Sequence, residues 1–98
     1  MDSKVITIGD NGVNSVEVGK NKPLVFIGGP CAIESEVHTL YMAEEILKIC
    51  GDIGIKWIFK SCYDKDCRSS KDSFHGVGIS EGLKILSKVR DKFNVPVV

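Results

Sequence analysis

Val5-Ile6-Thr7-Ile8 carries the alternating pattern of a strand with one buried face, Gly9-Asp10-Asn11-Gly12 supplies turn residues, and Ser15-Val16-Glu17-Val18 alternates again. Residues 1–22 are therefore expected to form an antiparallel hairpin. After a polar stretch ending at Pro23, the run Leu24-Val25-Phe26-Ile27 is apolar at every position, which predicts a strand buried on both faces as in a parallel sheet. It ends at Gly28-Gly29-Pro30.

From Ser35 the period lengthens. Leu40, Ala43, Ile46 with Leu47, and Cys50 recur at steps of three and four, which is one apolar face of a helix, with Ser35 as N-cap and Gly51 and Gly54 as stops. Ile55-Lys56-Trp57-Ile58-Phe59 predicts another strand. Ser80 is expected to open a second helix with Leu83, Leu86, Val89 or Arg90, and Phe93 on its apolar face and Asn94 at its end. Val95-Pro96-Val97-Val98 has the composition of a further strand.

Strand, helix, strand, helix, strand is the order of right-handed βαβ units, so the fold class is α/β with a parallel sheet. Three parallel strands are well under half of a (β/α)₈ barrel, for which about 250 residues is usual. A chain that reaches its last residue inside a buried-type strand reads as a piece of something longer, a single partial domain over 1–98 with the barrel-like part in 23–98. Such a piece is expected to expose strand edges and apolar surface.

Composition narrows the function classes. The 98 residues are 43% hydrophobic and 27% charged, with 13 Lys plus Arg against 13 Asp plus Glu and a formal net charge of zero. A neutral chain is not built to blanket nucleic acid or an anionic membrane. No apolar run approaches the ~20 residues of a membrane span, and Met1-Asp2-Ser3-Lys4 leads into no signal-peptide stretch, so a cytoplasmic location is expected. Cys31, Cys50, Cys62 and Cys67 are spaced by 19, 12 and 5 positions, which is neither a zinc-ribbon nor a redox C-x-x-C pattern.

The long connection from Ser61 to about Gly78 leaves the carboxyl end of a strand, where ligands bind in α/β sheets. With Lys60 before it, the segment gathers Lys65, Arg68 and Lys71 with Ser61, Ser69, Ser70 and Ser73. Fixed cations and hydroxyl donors in one place suit a phosphoryl group; Arg68 can engage two of its oxygens while Lys60 and Lys65 act as point charges. Asp64, Asp66 and Asp72 nearly balance these charges, so an ordinary solvated loop is the competing reading.

Cys31 lies just past a strand end and before a helix start, which suits a nucleophile or a soft metal ligand, against the plainer role of a small buried hydrophobe. His38 and His75 do not pair with it by spacing. Cys50 sits in the apolar stripe of the first helix and is assigned to packing, and Trp57 and Phe59 to the sheet rather than to stacking on bases.

The string Gly28-Gly29-Pro30-Cys31-Ala32-Ile33-Glu34-Ser35, followed by Phe59-Lys60-Ser61-Cys62-Tyr63-Asp64-Lys65-Asp66-Cys67-Arg68-Ser69-Ser70, closely resembles the 3-deoxy-D-manno-octulosonate 8-phosphate synthase family, also called 2-dehydro-3-deoxyphosphooctonate aldolase. The resemblance runs through the whole chain and covers roughly the family's N-terminal third. The K-x-x-[FY]-D-K-x-x-R-S-S arrangement is its specific part. The related aromatic-pathway family, which makes 3-deoxy-D-arabino-heptulosonate 7-phosphate, carries a shorter K-P-R-T version there.

The resemblance implies a (β/α)₈ TIM barrel that condenses phosphoenolpyruvate with arabinose 5-phosphate and water, in lipopolysaccharide biosynthesis. It implies that Lys60 and Lys65 are catalytic and that Cys62, Asp64, Cys67, Arg68 and Ser69 join them in binding substrate. Arg68 and Ser69 would hold the sugar phosphate, typically across a subunit interface of a homotetramer. Cys31 stands at the position that separates metal-dependent members, which have Cys, from metal-independent ones, which have Asn. This implies a divalent zinc, iron or manganese ion at Cys31, whose other ligands would lie past Val98, and no organic cofactor. Three positions depart from the family: Cys62 stands for the usual Ser, Cys67 for the usual Asn, and His75-Gly76-Val77-Gly78 for Arg-Gly-Pro-Gly. The alternatives are the aromatic-pathway synthase, or a non-catalytic phosphate-binding α/β module.

Overall fold

The computed structural model describes residues 4–9, 14–64 and 76–98. β1 (Val5–Ile8) and β2 (Val16–Gly19) form the antiparallel hairpin, registered Val5 with Gly19 and Ile8 with Val16. The second strand is thus one residue later than the alternation predicts. β3 (Val25–Gly28) and β4 (Lys56–Phe59) are parallel, with α1 (Glu36–Ile53) as the crossover and α2 (Ile79–Phe93) after β4.

The expected last strand is present as a single parallel bridge, Phe59 with Val97. Its backbone is nonetheless laid along β4: Phe59 N donates to Pro96 O at 2.9 Å, Val98 N to Phe59 O at 2.8 Å, and Ser61 N to Val98 O at 3.3 Å. The lateral order is therefore β3, β4, then the segment around Val97.

α1 starts where its chemistry says. Ser35 is extended (φ −161°), its hydroxyl accepts from His38 N at 3.1 Å, and the Thr39 hydroxyl donates to Ser35 O at 2.7 Å. Its other end corrects the sequence reading. Gly51 lies inside the helix, and Gly54, at φ 72°, is the terminator. Gly54 N donates to Gly51 O and Ile55 N to Cys50 O, the paired bonds of a Schellman cap that a left-handed glycine makes available. Asn94, at φ 55°, ends α2 in the simpler left-handed form, donating to Arg90 O.

α2 begins at Ile79, after Gly78, with no side-chain cap bond, so Ser80 lies in the first turn rather than before it. Its buried stripe is Gly82, Ile85, Leu86 and Val89, whereas Leu83 is 54% exposed. The stripe is rotated from the one predicted because Tyr63 packs directly over Gly82: a Cβ there would come within 2.2 Å of the tyrosine Cβ. Leu86 and Val89 of the predicted face are buried and Phe93 packs against the core, so Leu83 is the position that departs.

Trp57 and Phe59, ring centroids 5.7 Å apart and edge to face, join Ala43, Cys50, Ile85 and Val89 in the core between β4 and the two helices. Burial pushes the Cys50 thiol up, in keeping with its packing role. Lys88 of α2 donates to Glu36 at the start of α1, and that bond with the carboxylate charge raises the lysine above its ordinary value.

β3 is not buried on both faces. Phe26 is 43% and Ile27 51% exposed, and among the described residues β3 has a partner strand, β4, on one side only. A wholly apolar cleft of about 310 Å³ opens beside it, lined by Phe26, Ile46, Ile49, Cys50, Ile53 and Ile55. Exposed apolar surface, which the sequence leads one to expect, lies here.

The hairpin covers the amino end of the sheet. Val16 is buried, Asn14 N donates to the side chain of Asn94 at 3.1 Å, and Gly9 lies against Pro96. At the opposite, carboxyl end lie the described candidates Cys31, Lys60 and Cys62.

Candidate functional site

Past Gly28 and Phe59 the two parallel strands continue side by side as loops. Lys60 N donates to Gly28 O at 3.1 Å, the Trp57 indole donates to the same oxygen at 3.0 Å, and a second bridge pairs Ala32 with Cys62. Gly29 is required for this approach, since a Cβ there would stand 2.3 Å from Lys60 O. The buried Ser61 hydroxyl crosses between the chains to donate to Pro30 O at 2.6 Å. These bonds fix both loops at the mouth of the sheet.

Between them is a cavity of about 160 Å³ lined by residues 28–31 and 60–62. It brings together three of the residues singled out in the sequence: Cys31 and Lys60, both exposed, and the half-buried Cys62. Asp64 is exposed and not among the lining residues. Lys65, Cys67, Arg68 and Ser69 lie outside the described residues, as does His75.

The base of the long connection is anchored by a residue that sequence reasoning passed over. Tyr63 O accepts from Gly78 N at 2.9 Å, its side chain rests on Gly82, and Gly76, at φ 133°, is so close that a Cβ would fall 2.1 Å from the same carbonyl oxygen. The signal was available as one aromatic followed by three glycines, Gly76, Gly78 and Gly82. Residues 63 and 78 are thereby held together.

Chemically, the cavity offers an ammonium group and two thiols. Among the described residues no three His, Cys, Asp or Glu side chains converge. His38 lies 3.8 Å from Glu34, on α1. A divalent ion is therefore not held by the described residues alone, and Cys31 with Cys62 are the only soft donors they place at this cavity.

Comparison with known proteins decides the family. The family model described as DAHP synthetase I family matches residues 5–98. The chain belongs to the DAHP synthetase I family. Within it, the chain is similar to proteins named 2-dehydro-3-deoxyphosphooctonate aldolase. The one from Geobacter sulfurreducens is 46% identical over 96 residues, which is 98% of this chain and 34% of that protein. Those from Geotalea uraniireducens and Rickettsia felis are 49% and 43% identical over 86 residues, 88% of this chain and 32% and 31% of theirs. The chain thus spans about a third of the length of the curated relatives it matches. As a member of the DAHP synthetase I family it carries Lys60 and Cys31 at the carboxyl end of its first parallel strand pair.

Proposed function

We propose that this chain forms part of an enzyme that condenses phosphoenolpyruvate with arabinose 5-phosphate and water, giving 3-deoxy-D-manno-octulosonate 8-phosphate and inorganic phosphate for lipopolysaccharide assembly. The observation that carries the reading is Lys60 in a cavity at the carboxyl ends of β3 and β4, in a chain 43–49% identical to aldolases of that name. Carboxyl ends of parallel strands are where α/β enzymes gather catalytic groups.

Both substrates are anions, so their meeting requires cations fixed in advance. Lys60 supplies one, its main chain fixed at the cavity by the bond to Gly28 O. Lys65 is proposed as the second, Arg68 and Ser69 as the holders of the sugar phosphate, and Cys62, Asp64 and Cys67 as further substrate contacts. A divalent ion at Cys31 would supply Lewis acidity, with its remaining ligands drawn from other parts of the protein.

The two βα units are proposed as the start of a (β/α)₈ barrel, with later polypeptide covering the exposed face of β3 and the apolar cleft beside it. That reading is supported by the parallel order of β3, β4 and the Val97 segment, and by the length of the relatives. A cytoplasmic homo-oligomer, a tetramer by resemblance, is part of the proposal. Among the described residues no helix is long and apolar enough to cross a membrane.

The family description also fits the aromatic-pathway reaction, which uses erythrose 4-phosphate. The test is phosphate release by the complete protein from phosphoenolpyruvate with each sugar phosphate in turn. Release with arabinose 5-phosphate alone is the expected result. Release with erythrose 4-phosphate alone would transfer the chain to the aromatic pathway, and release with neither would overturn the assignment.

A further inference from the structure

Cys31 and Cys62 reach the same cavity from two different chain segments, and neither is in a disulfide. Cys62 N donates to Cys31 O at 3.3 Å, and the next residue, Ala32, is the bridge partner of Cys62. Neighbouring strands run about 4.8 Å apart, inside the roughly 4.4–6.8 Å window of Cα separations that a disulfide spans.

In an uninterrupted ladder the two side chains would point to opposite faces, because Cys62 shares the face of Ala32 and side chains alternate. The ladder here is interrupted. Four steps from Gly28 to Ala32 (32 − 28) are matched against three from Phe59 to Cys62 (62 − 59), so the first segment carries one extra residue, with a bend at Cys31. An extra residue of this kind re-aims side chains, and both cysteines consequently line one 160 Å³ space.

We propose that Cys31 and Cys62 are a redox pair whose oxidation to a disulfide closes the cavity. With hydrogen peroxide as oxidant, the Cys31 sulfur, on the more exposed residue, attacks one oxygen of the O–O bond and becomes a sulfenic acid, and the expelled hydroxide takes a proton to leave as water. The Cys62 sulfur then attacks the Cys31 sulfur, the S–O bond breaks, and a second water leaves. Two thiols and one peroxide yield one disulfide and two waters, with two electrons passing from sulfur to oxygen. The bond ties the two strand ends across the space that Lys60 faces and removes Cys31 as a thiolate donor. Dithiol reductants reverse it.

Cys50 is an internal control, since it is buried in the α1 stripe and its thiol is pushed up. Trypsin separates all four cysteines, because Lys48, Lys56, Lys60 and Lys65 fall between them. The experiment treats the complete protein with hydrogen peroxide in chelator-containing buffer, followed by peptide mapping with and without dithiothreitol. The expected product is the Cys31 peptide joined to the Cys62 peptide, lower by about 2 Da than the sum of the two thiol forms and separated by reductant. In Cys62→Ser, Cys31 should instead accumulate as sulfenic acid trapped by dimedone. Linkage of either cysteine to Cys67, or no intramolecular disulfide in wild type, overturns the proposal, and neither readout depends on which sugar phosphate the enzyme uses.

Discussion

Two glycines on helices respond in opposite senses to the same change. Gly51 in α1 has nothing within 4 Å of where a Cβ would stand, so Gly51→Ala is expected to raise stability by about 0.5 kcal/mol through helix propensity. Gly82 in α2 lies under Tyr63, with 2.2 Å to the tyrosine Cβ, and Gly82→Ala should lower stability by about 1–3 kcal/mol through overpacking, outweighing the same propensity gain. Urea midpoints of the two variants beside wild type check the pair; a gain at Gly82 would mean that Tyr63 does not rest there. The composition of the cavity was legible at this scale, since Cys31 and Lys60 stand out in sequence. The family resemblance groups Cys62 with Lys60, but its meeting with Cys31 in one space was not legible, because that depends on one extra residue between two bridges. The role of Tyr63 was missed because its partners are glycines, which carry no hydrophobic signal.

At the scale of elements, caps were easier to read than faces. Ser35 and Asn94 act as their residue types suggest, because capping is local chemistry set by one side chain or one backbone angle. Ser35→Ala removes the acceptor for His38 N and should cost about 1 kcal/mol, read as a lower melting temperature; Ser35→Asp should restore most of it. A Ser35→Ala variant that melts with wild type would show that the α1 start is held by packing alone. The α2 face was harder to read, because helical spacing allows neighbouring stripes and a tertiary contact, Tyr63 on Gly82, selects between them. Likewise Gly51 carried the same stop signal as Gly54, and only Gly54 has the left-handed angle.

For the molecule as a whole, the hairpin closes the amino end of the sheet and two bonded loops frame a cavity at the other. The α/β class and the parallel order follow from the alternation of patterns along the chain. The run Leu24–Ile27 anticipates a burial that β4 and α1 alone do not supply, and its exposed side chains are the largest difference between pattern and structure. That difference agrees with a chain spanning a third of its relatives. In the proposed reaction Lys60 is the cation that would stabilise charge developing between two anionic substrates. The most direct measurement is steady-state turnover of the complete protein with Lys60→Ala beside wild type. A fall in kcat of roughly 10²–10³-fold is expected, with the KM for the sugar phosphate changed little. An unchanged kcat would contradict that role.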